Sequence, residues 1–408
     1  MTSAPLPAIF TRLAGANLAA QSAEQISLAA VPIVAVLALN AGPGEIGALA
    51  TAQTLPFLLL SMPVGLLADR VSKRKLMVVA EGLRAAAFLG LLLAVFSGQL
   101  SLVLLAVLGF LGACGTVGFS VAAPSLIPAL VPREQLSAAN GRLELARSAA
   151  FAAGPALAGA LVAWAGASPA FVLAAVLSVA ALALLAGLPE PAAAALAPRR
   201  HPLVELKEGA AVVWHSALLR PVLLTAVVWN IAWFVLQAAY VPYAVRTLGL
   251  GASGVGFTLA TYGVGMVVGA LAAPRVLRAL PFGHAVLLGP AVSVLAMATM
   301  VATLLWPSGA VATLSFFLFG AGPIIWTISS TTLRQSVTPQ AMLGRVTAIF
   351  LTVNTGARPL GAALGGWVGA QWGEPACLWL ALAGFVLQAL LIAASAVRGL
   401  RVLPPAAA

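Results

Sequence analysis

The sequence predicts an all-α membrane protein with twelve transmembrane helices in two six-helix halves related by an internal repeat. The chain of 408 residues is 62% hydrophobic and only 8% charged, and its mean hydropathy is +1.07. About a quarter of the residues are charged in soluble domains. Apolar runs of about 20 residues, enough to cross ~30 Å of hydrocarbon, recur along the whole length. The second half also repeats motifs of the first.

The apolar runs are much longer than barrel strands, so helices are the structure that a bilayer permits here. We expect no cleavable signal peptide, because the first run is long enough to remain as a span. The twelve predicted spans, with ends given to within a few residues, are 8–39, 45–67, 76–97, 100–129, 139–164, 168–188, 217–245, 253–273, 284–305, 309–333, 345–370 and 376–397.

The internal repeat divides the chain. "GPALAGAL" from Gly154 resembles "RPLGAALGG" from Arg358, and "GLLADR" from Gly65 resembles "GALAAPR" from Gly269. We therefore expect an N-terminal half at 1–190, a cytoplasmic linker at 191–216 with a short amphipathic helix at 202–215, and a C-terminal half at 217–408. Parallel repeats of this kind are typical of transporters that rock about a site at the membrane midplane.

The charges are placed asymmetrically. With twelve spans, both termini lie on one side, and the loops of the other side carry only Glu45, Arg246 and Glu374. Because basic loops stay in the cytoplasm, we expect a multi-pass protein of the inner membrane with both termini cytoplasmic. The net charge of +11 then reflects topology, and we expect no nucleic-acid partner.

Chemistry other than transport has little support in the sequence. Cys114 and Cys377 lie in different halves, and the three histidines are isolated, so we expect no metal site and no cofactor. A membrane enzyme would need several convergent catalytic groups, whereas the deep charges we expect are Glu24 and Arg358. "GAGPIIWTIS" lacks the Gly-Lys-Ser/Thr ending of a P-loop. We expect a transporter rather than an enzyme.

The loop after the second span concentrates charge as Gly65-x-x-x-Asp69-Arg70-x-Ser72-Lys73-Arg74-Lys75. It resembles the corresponding loop of the major facilitator superfamily, although Ser72 replaces the usual second glycine. The resemblance implies a conformational latch formed by Gly65, Asp69, Arg70, Lys73, Arg74 and Arg345. The alternative is a solvated loop that only sets topology, which explains the four bases but not the acid.

A second resemblance lies in the fifth span. Gly154, Pro155 and Gly159 resemble the G-P-x-x-x-G element of superfamily exporters, where proline would kink the helix and glycines would allow close packing. Glycine and proline are also frequent in membrane helices generally. The first half is similar to the branch with macrolide-efflux and enterobactin-exporter proteins. Related drug–proton antiporters carry an Arg in the fourth span, and 102–130 has no charge.

Polar groups inside the spans are the candidate site. Asn17, Gln21 and Glu24 form one stripe of the first helix. Glu24 lies ~24 Å from the helix start, where an ionised carboxylate is costly, so we expect it to bind a proton and to be the coupling group. The alternative is a buried carboxyl satisfied by Gln21, Gln25 or a neighbouring helix.

The seventh span carries an aromatic and amide surface that suits a bulky, largely apolar ligand, although most aromatic stripes serve packing. Its members are Trp229, Asn230, Trp233, Gln237 and Tyr240. Arg358 is the other deep charge, and pairing with Glu24, contact with an anionic substrate group and bonding to helix carbonyls all stay open. Glu81–Arg84 and Glu144–Arg147 are i,i+3 pairs that we interpret as structural clasps at the cytoplasmic rim.

These observations predict a secondary transporter that exports a hydrophobic or amphipathic small molecule, such as a drug, macrolide or siderophore, in exchange for protons by rocker-switch alternation. Such a protein would confer multidrug resistance. The alternative is an importer or facilitator of a small anionic metabolite, with Arg358 binding the anion. The expected partners are the small-molecule substrate, protons and the lipid bilayer, and we expect a monomer.

Overall fold

A computed structural model describes residues 7–68, 71–132, 135–189, 202–339 and 342–404. All regular secondary structure in these ranges is helical. The helices are α1 (Ala8–Leu39), α2 (Pro43–Ala68), α3 (Lys73–Phe96), α4 (Leu102–Leu130), α5 (Leu136–Ala165), α6 (Ala167–Ala186), α7 (Pro202–His215), α8 (Leu219–Arg246), α9 (Ala252–Ala279), α10 (Phe282–Ala302), α11 (Gly309–Val337) and α12 (Leu343–Ala393), followed by a 3-10 helix at Ala396–Gly399.

Eleven helices in the described part are long and apolar enough to cross a membrane when α12 is counted once. The 51-residue α12 is broken at Gly373, where φ is 78°. Only glycine enters this left-handed region easily, and Pro375 follows two residues later. The arms at 343–372 and 374–393 are each long enough to span, so the predicted fold class is confirmed. The short α7 occupies the range predicted for the linker helix.

The chain forms two compact units. Unit 1 contains 1–41, 52–195 and 250–260, and unit 2 contains 42–51, 196–249 and 261–408. In unit 1, α1 packs against α5 and α6, while α3 packs against α4 and α6. In unit 2, α12 packs against α8 and α10, and α10 packs against α11.

Serine side chains define where three helices begin. The hydroxyl oxygens of Ser72, Ser101 and Ser308 accept hydrogen bonds from the backbone N–H groups three residues later, at 3.2, 3.3 and 3.4 Å. Each bond satisfies one of the N–H groups that a helix start leaves without an intrahelical partner. Ser101 and Ser308 cap α4 and α11, so both sequence repeats start this helix in the same way.

Paired glycines allow a very close helix crossing in each unit. In unit 1, a β-carbon on Gly159 of α5 would lie 2.8 Å from the Cα of Gly256 of α9. In unit 2, a β-carbon on Gly47 of α2 would lie 2.3 Å from the Cα of Gly366 of α12. Real β-carbons cannot approach backbone atoms so closely, so both crossings require glycine.

Candidate transport site

A buried ionic network lies in unit 1. The Arg84 guanidinium of α3 donates from Nε to Glu81 Oε1 at 3.2 Å and from Nη2 to Glu81 Oε2. Ser178 of α6 donates to the same Glu81 Oε1 at 2.5 Å. Glu81 is completely buried and Arg84 is 2% exposed. This two-pronged bond on one side of the guanidinium, reinforced by Ser178, fixes Arg84 in place.

The other side of the guanidinium is held more loosely. Arg84 Nη1 lies 3.5 Å from Glu24 Oε2 of α1 and 3.4 Å from Thr116 Oγ1 of α4, which is longer than usual for hydrogen bonds of this kind. Glu24 retains 19% of its side-chain exposure. With both glutamates ionised, these three charged groups have one more negative than positive charge. Glu24 is therefore the more exposed of these two carboxyls, because Glu81 is enclosed.

Close helix packing brings these groups together. A β-carbon on Gly115 of α4 would lie 2.3 Å from the carbonyl oxygen of Ala80 and 3.2 Å from Arg84 Cβ. This glycine allows α4 to approach α3, which places Thr116 beside Arg84 and the Phe119 ring 5.7 Å from the guanidinium carbon. Glu24, Arg84 and Thr116 each lie near the midpoint of their helices, so the network is at mid-span depth.

Unit 2 has an aromatic cluster at the middle of its helices. Trp229 and Trp233 of α8 are stacked, with centroids 5.4 Å apart and planes 11° apart. Trp233 also meets Tyr262 of α9 at 5.2 Å and Phe319 of α11 at 5.1 Å. The indole nitrogen of Trp229 donates to Ser293 Oγ at 3.1 Å. Such a surface can stack against planar groups of a ligand.

The predicted cavity residues differ in their surroundings. Asn17 and Gln21 are half-buried like Glu24, as expected for one face of α1. Asn230 and Gln237 of α8 are half-buried too, and Asn230 donates to the carbonyl of Ala226 at 2.9 Å. Tyr240 is fully buried with its ring 4.4 Å from that of Phe316. In this structure Tyr240 packs in the core, while the other four side chains keep some exposure.

Arg358 lies near the midpoint of the first arm of α12 and is half-buried. In unit 1, Glu24 forms an ion pair with Arg84. The three roles considered for Arg358 therefore remain predictions.

The predicted latch is described only in part. Asp69 and Arg70 lie outside the described residues. Arg74 donates to the carbonyl of Ala186 at the end of α6, at 2.5 Å, where a cation is favoured by the helix dipole. Gly65 lies in α2 and Lys73 is the first residue of α3.

Arg345, the predicted latch partner of Asp69, has a carboxylate partner in α7. Its Nη1 donates to Glu208 Oε2 at 2.5 Å. A β-carbon on Gly209 would lie 2.9 Å from the Arg345 carbonyl oxygen, so α7 crosses the start of α12 in close contact. Arg345 thus ties α7 to α12, and its pairing with Asp69 stays a prediction.

The fifth-span element has a packing role in unit 1. A β-carbon on Gly154 would lie 2.5 Å from Gln25 Cβ, so this glycine lets α5 approach α1 next to Glu24. The carbonyl oxygen of Pro155 would lie 2.4 Å from a β-carbon on Gly256, and Gly159 forms the crossing described above.

The interpretation of Glu81 and Arg84 as a clasp at the rim is wrong in position. Both side chains are buried at the middle of α3, in contact with three other helices. The matched Glu144–Arg147 pair of α5 is exposed, by 56% and 35%, with 2.5 Å between Oε1 and Nη2. The two pairs differ in their partners on neighbouring apolar helices, which are Ser178 and Thr116 for the buried pair. The sequence of the helix that contains the pair does not reveal these partners.

The fold and these sites define a helical membrane transporter. Residues 13–362 match the Major Facilitator Superfamily, so the chain belongs to this family and is a multi-pass membrane protein. The enterobactin exporter EntS of Citrobacter koseri is 29% identical over 337 residues, which cover 80% of this chain and 77% of that protein. EntS of Shigella boydii is 29% identical over 314 residues, covering 75% and 72%.

Solved transporters share the fold. The nucleoside transporter NupG has a TM-score of 0.75 at 12% identity, covering 95% of this chain and 99% of that chain. A bacterial homologue of the iron transporter ferroportin, in its inward-facing state, has a TM-score of 0.72 at 18% identity, covering 94% and 97%. At these identities the likeness concerns architecture alone.

Proposed function

We propose that this transporter exports an amphipathic small molecule of the siderophore type in exchange for protons. The exporter relatives support the direction and the kind of cargo. The observation that carries proton coupling is the position of Glu24, a carboxyl that is 19% exposed at mid-span depth. The network around it has one excess negative charge when both glutamates are ionised. Protonation of Glu24 would remove that excess and leave one negative and one positive charge in the network.

In this proposal, unit 1 binds the proton and unit 2 binds the cargo. Unit 1 binds the proton at Glu24, and Arg84 favours its release because the guanidinium attracts the ionised carboxylate. Unit 2 offers Trp229, Trp233 and Tyr262 as a stacking surface for the cargo. Rocker-switch alternation would expose both regions to one side of the membrane and then to the other.

The proposed orientation is that of the inner membrane, with both termini cytoplasmic, and the protein would act as a monomer. The concentration of basic residues in the loops of one side supports it. Cysteines introduced at Glu45 and Glu374 should react with an impermeant reagent in intact cells. A cysteine at His201 should react only after lysis, and labelling of position 201 in intact cells would reverse the orientation.

The transport assay uses enterobactin as the probe, in proteoliposomes with an imposed pH gradient. With an acidic lumen, protons leave and enterobactin should accumulate inside, and a protonophore should abolish the accumulation. Uptake driven instead by acid outside would support the importer alternative. Enterobactin transport that does not change with the pH gradient, whichever side is acidic, would contradict proton coupling.

A further inference from the structure

The amphipathic helix α7 has one face that the protein covers and one that it does not. Val213 is buried in a core cluster that includes Leu219, Val346 and Ile349 of unit 2. On the other side, Val204 is 45% exposed and Trp214 is 57% exposed, and Lys207 and Ala211 lie between them in the same stripe and are also exposed. An exposed tryptophan and valine with an intervening lysine are typical of helices that lie in a membrane interface.

The connection to α8 places this stripe beside the bilayer. Only residues 216–218 separate α7 from α8, which is long and apolar enough to span. Ser216 Oγ accepts from the backbone N–H of Leu219 at 3.1 Å, which makes the turn a defined one. The Arg220 guanidinium carbon lies 5.9 Å from the Trp214 ring centroid. Trp214 therefore lies at the level where the first turn of a membrane-spanning helix begins.

The same end of unit 2 is rich in exposed cations. Phe282, Val397 and Leu277 belong to the same core cluster as Val213, so the end of α9, the start of α10 and the C-terminal 3-10 helix lie at this end of unit 2. The exposed basic residues are Lys207, Arg220, Arg275, Arg278, Arg398 and Arg401. Among the described side chains of this end, the acid Glu208 is bonded to Arg345. The surface is complementary to anionic headgroups.

We propose that the exposed stripe of α7 docks on the anionic phospholipid surface of the leaflet that surrounds this end of unit 2. Trp214 and Val204 enter the interface, and Lys207 and Arg220 contact headgroup phosphates. Because Glu208 and Gly209 hold α7 on the start of α12, lipid binding fixes the position of that helix start as well. This inference is independent of cargo and of proton coupling.

The test places a fluorophore on the stripe of the full-length protein. Ala211→Cys, in a Cys114→Ser background with Cys377 left buried, is labelled with an environment-sensitive dye and reconstituted. One set of vesicles contains only phosphatidylcholine, and the other also contains phosphatidylglycerol. We expect the dye to be shielded from an aqueous quencher when the anionic lipid is present, and the shielding to weaken as salt rises.

Charge variants and a control label complete the test. Lys207→Gln and Arg220→Gln should each reduce the shielded population by about fivefold. A label at Thr247→Cys, at the opposite end of α8, should not respond to these variants. Equal shielding in both kinds of vesicle, insensitive to salt, would overturn the proposal, because protein packing alone would then cover the stripe. Exposure of the label in both kinds of vesicle would overturn it equally.

Discussion

The two units of this transporter have similar close helix crossings and differ in the side chains at the middle of their helices. Each has a glycine crossing, at Gly159 and Gly256 in one and at Gly47 and Gly366 in the other. The middle of unit 1 contains a buried ionic network, whereas the middle of unit 2 contains stacked aromatic rings. The described glycine crossings are alike in the two units, and the difference lies in the side chains at the middle of the helices.

The largest expected effect comes from removing the buried cation of unit 1. Arg84→Met leaves the Glu81 carboxylate buried with Ser178 as its remaining described donor. We expect a loss of about 3–5 kcal/mol in the free energy of unfolding, which is the cost of stranding a buried charge. Thermal unfolding of the purified protein in detergent measures it.

The matched controls separate charge from packing. Glu81→Gln/Arg84→Met removes both charges and should recover most of the stability. Arg147→Met, in the exposed pair of the same spacing, should change the stability by less than about 1 kcal/mol. If Arg84→Met and Arg147→Met behave alike, the network does not have the buried character described here.

Alanine substitutions at the glycine crossings should destabilise the protein equally in both units. Gly159→Ala and Gly47→Ala each add a β-carbon against backbone, and we expect each to cost about 1–3 kcal/mol, as in other overpacked sites. Gly82→Ala on α3 is the control, because a β-carbon there meets nothing within 4 Å. A lowered unfolding temperature for only one of the two variants, Gly159→Ala or Gly47→Ala, would show that the two crossings are not equivalent.

The aromatic cluster should affect cargo affinity and leave coupling intact. Trp233→Leu removes the ring that Trp229, Tyr262 and Phe319 all contact, and we expect a loss of about 1–2 kcal/mol of stability. In transport assays KM should rise while the response to a pH gradient persists. A lost gradient response with unchanged KM would place coupling in unit 2 and break the division between the units.

The smallest expected difference is between two buried serines, each hydrogen-bonded to a side chain of another helix. Ser178→Ala removes a donor to an ionised carboxylate, and we expect a cost of about 2 kcal/mol. Ser293→Ala removes the acceptor of the Trp229 N–H, a neutral pair, and about 1 kcal/mol is expected. Unfolding temperatures of the two variants measure the contrast. A larger effect at Ser293 would mean that Glu81 is not charged in the folded protein.

The sequence predicted the spans well because composition determines them. The first span was predicted at 8–39, the bounds of α1, and the linker helix at 202–215, the bounds of α7. The break at Gly373 was also anticipated by the gap between the last two predicted spans. These features depend on local runs of apolar residues and on the positions of glycine and proline. Each can therefore be recognised within one short segment of the sequence.

The network was predicted only in part because burial is a property of neighbouring helices. Glu24 was identified from its depth along α1. Glu81–Arg84 and Glu144–Arg147 have the same spacing, and nothing within each helix distinguishes them. The difference lies in Ser178 and Thr116, which come from two other helices, α6 and α4. Tyr240 is fully buried against Phe316 of α11, and its place in the cavity stays a prediction.

The most direct test of proton coupling at Glu24 compares two glutamates of the same unit. Glu24→Gln preserves size and most hydrogen bonding, and Glu144→Gln makes the same change in the exposed pair. The siderophore probe is measured in proteoliposomes with and without an acidic lumen. We expect Glu144→Gln to accumulate the probe as the parent does, and Glu24→Gln to lose gradient-driven accumulation while still exchanging probe across the membrane. Accumulation by Glu24→Gln equal to that of the parent would contradict the account.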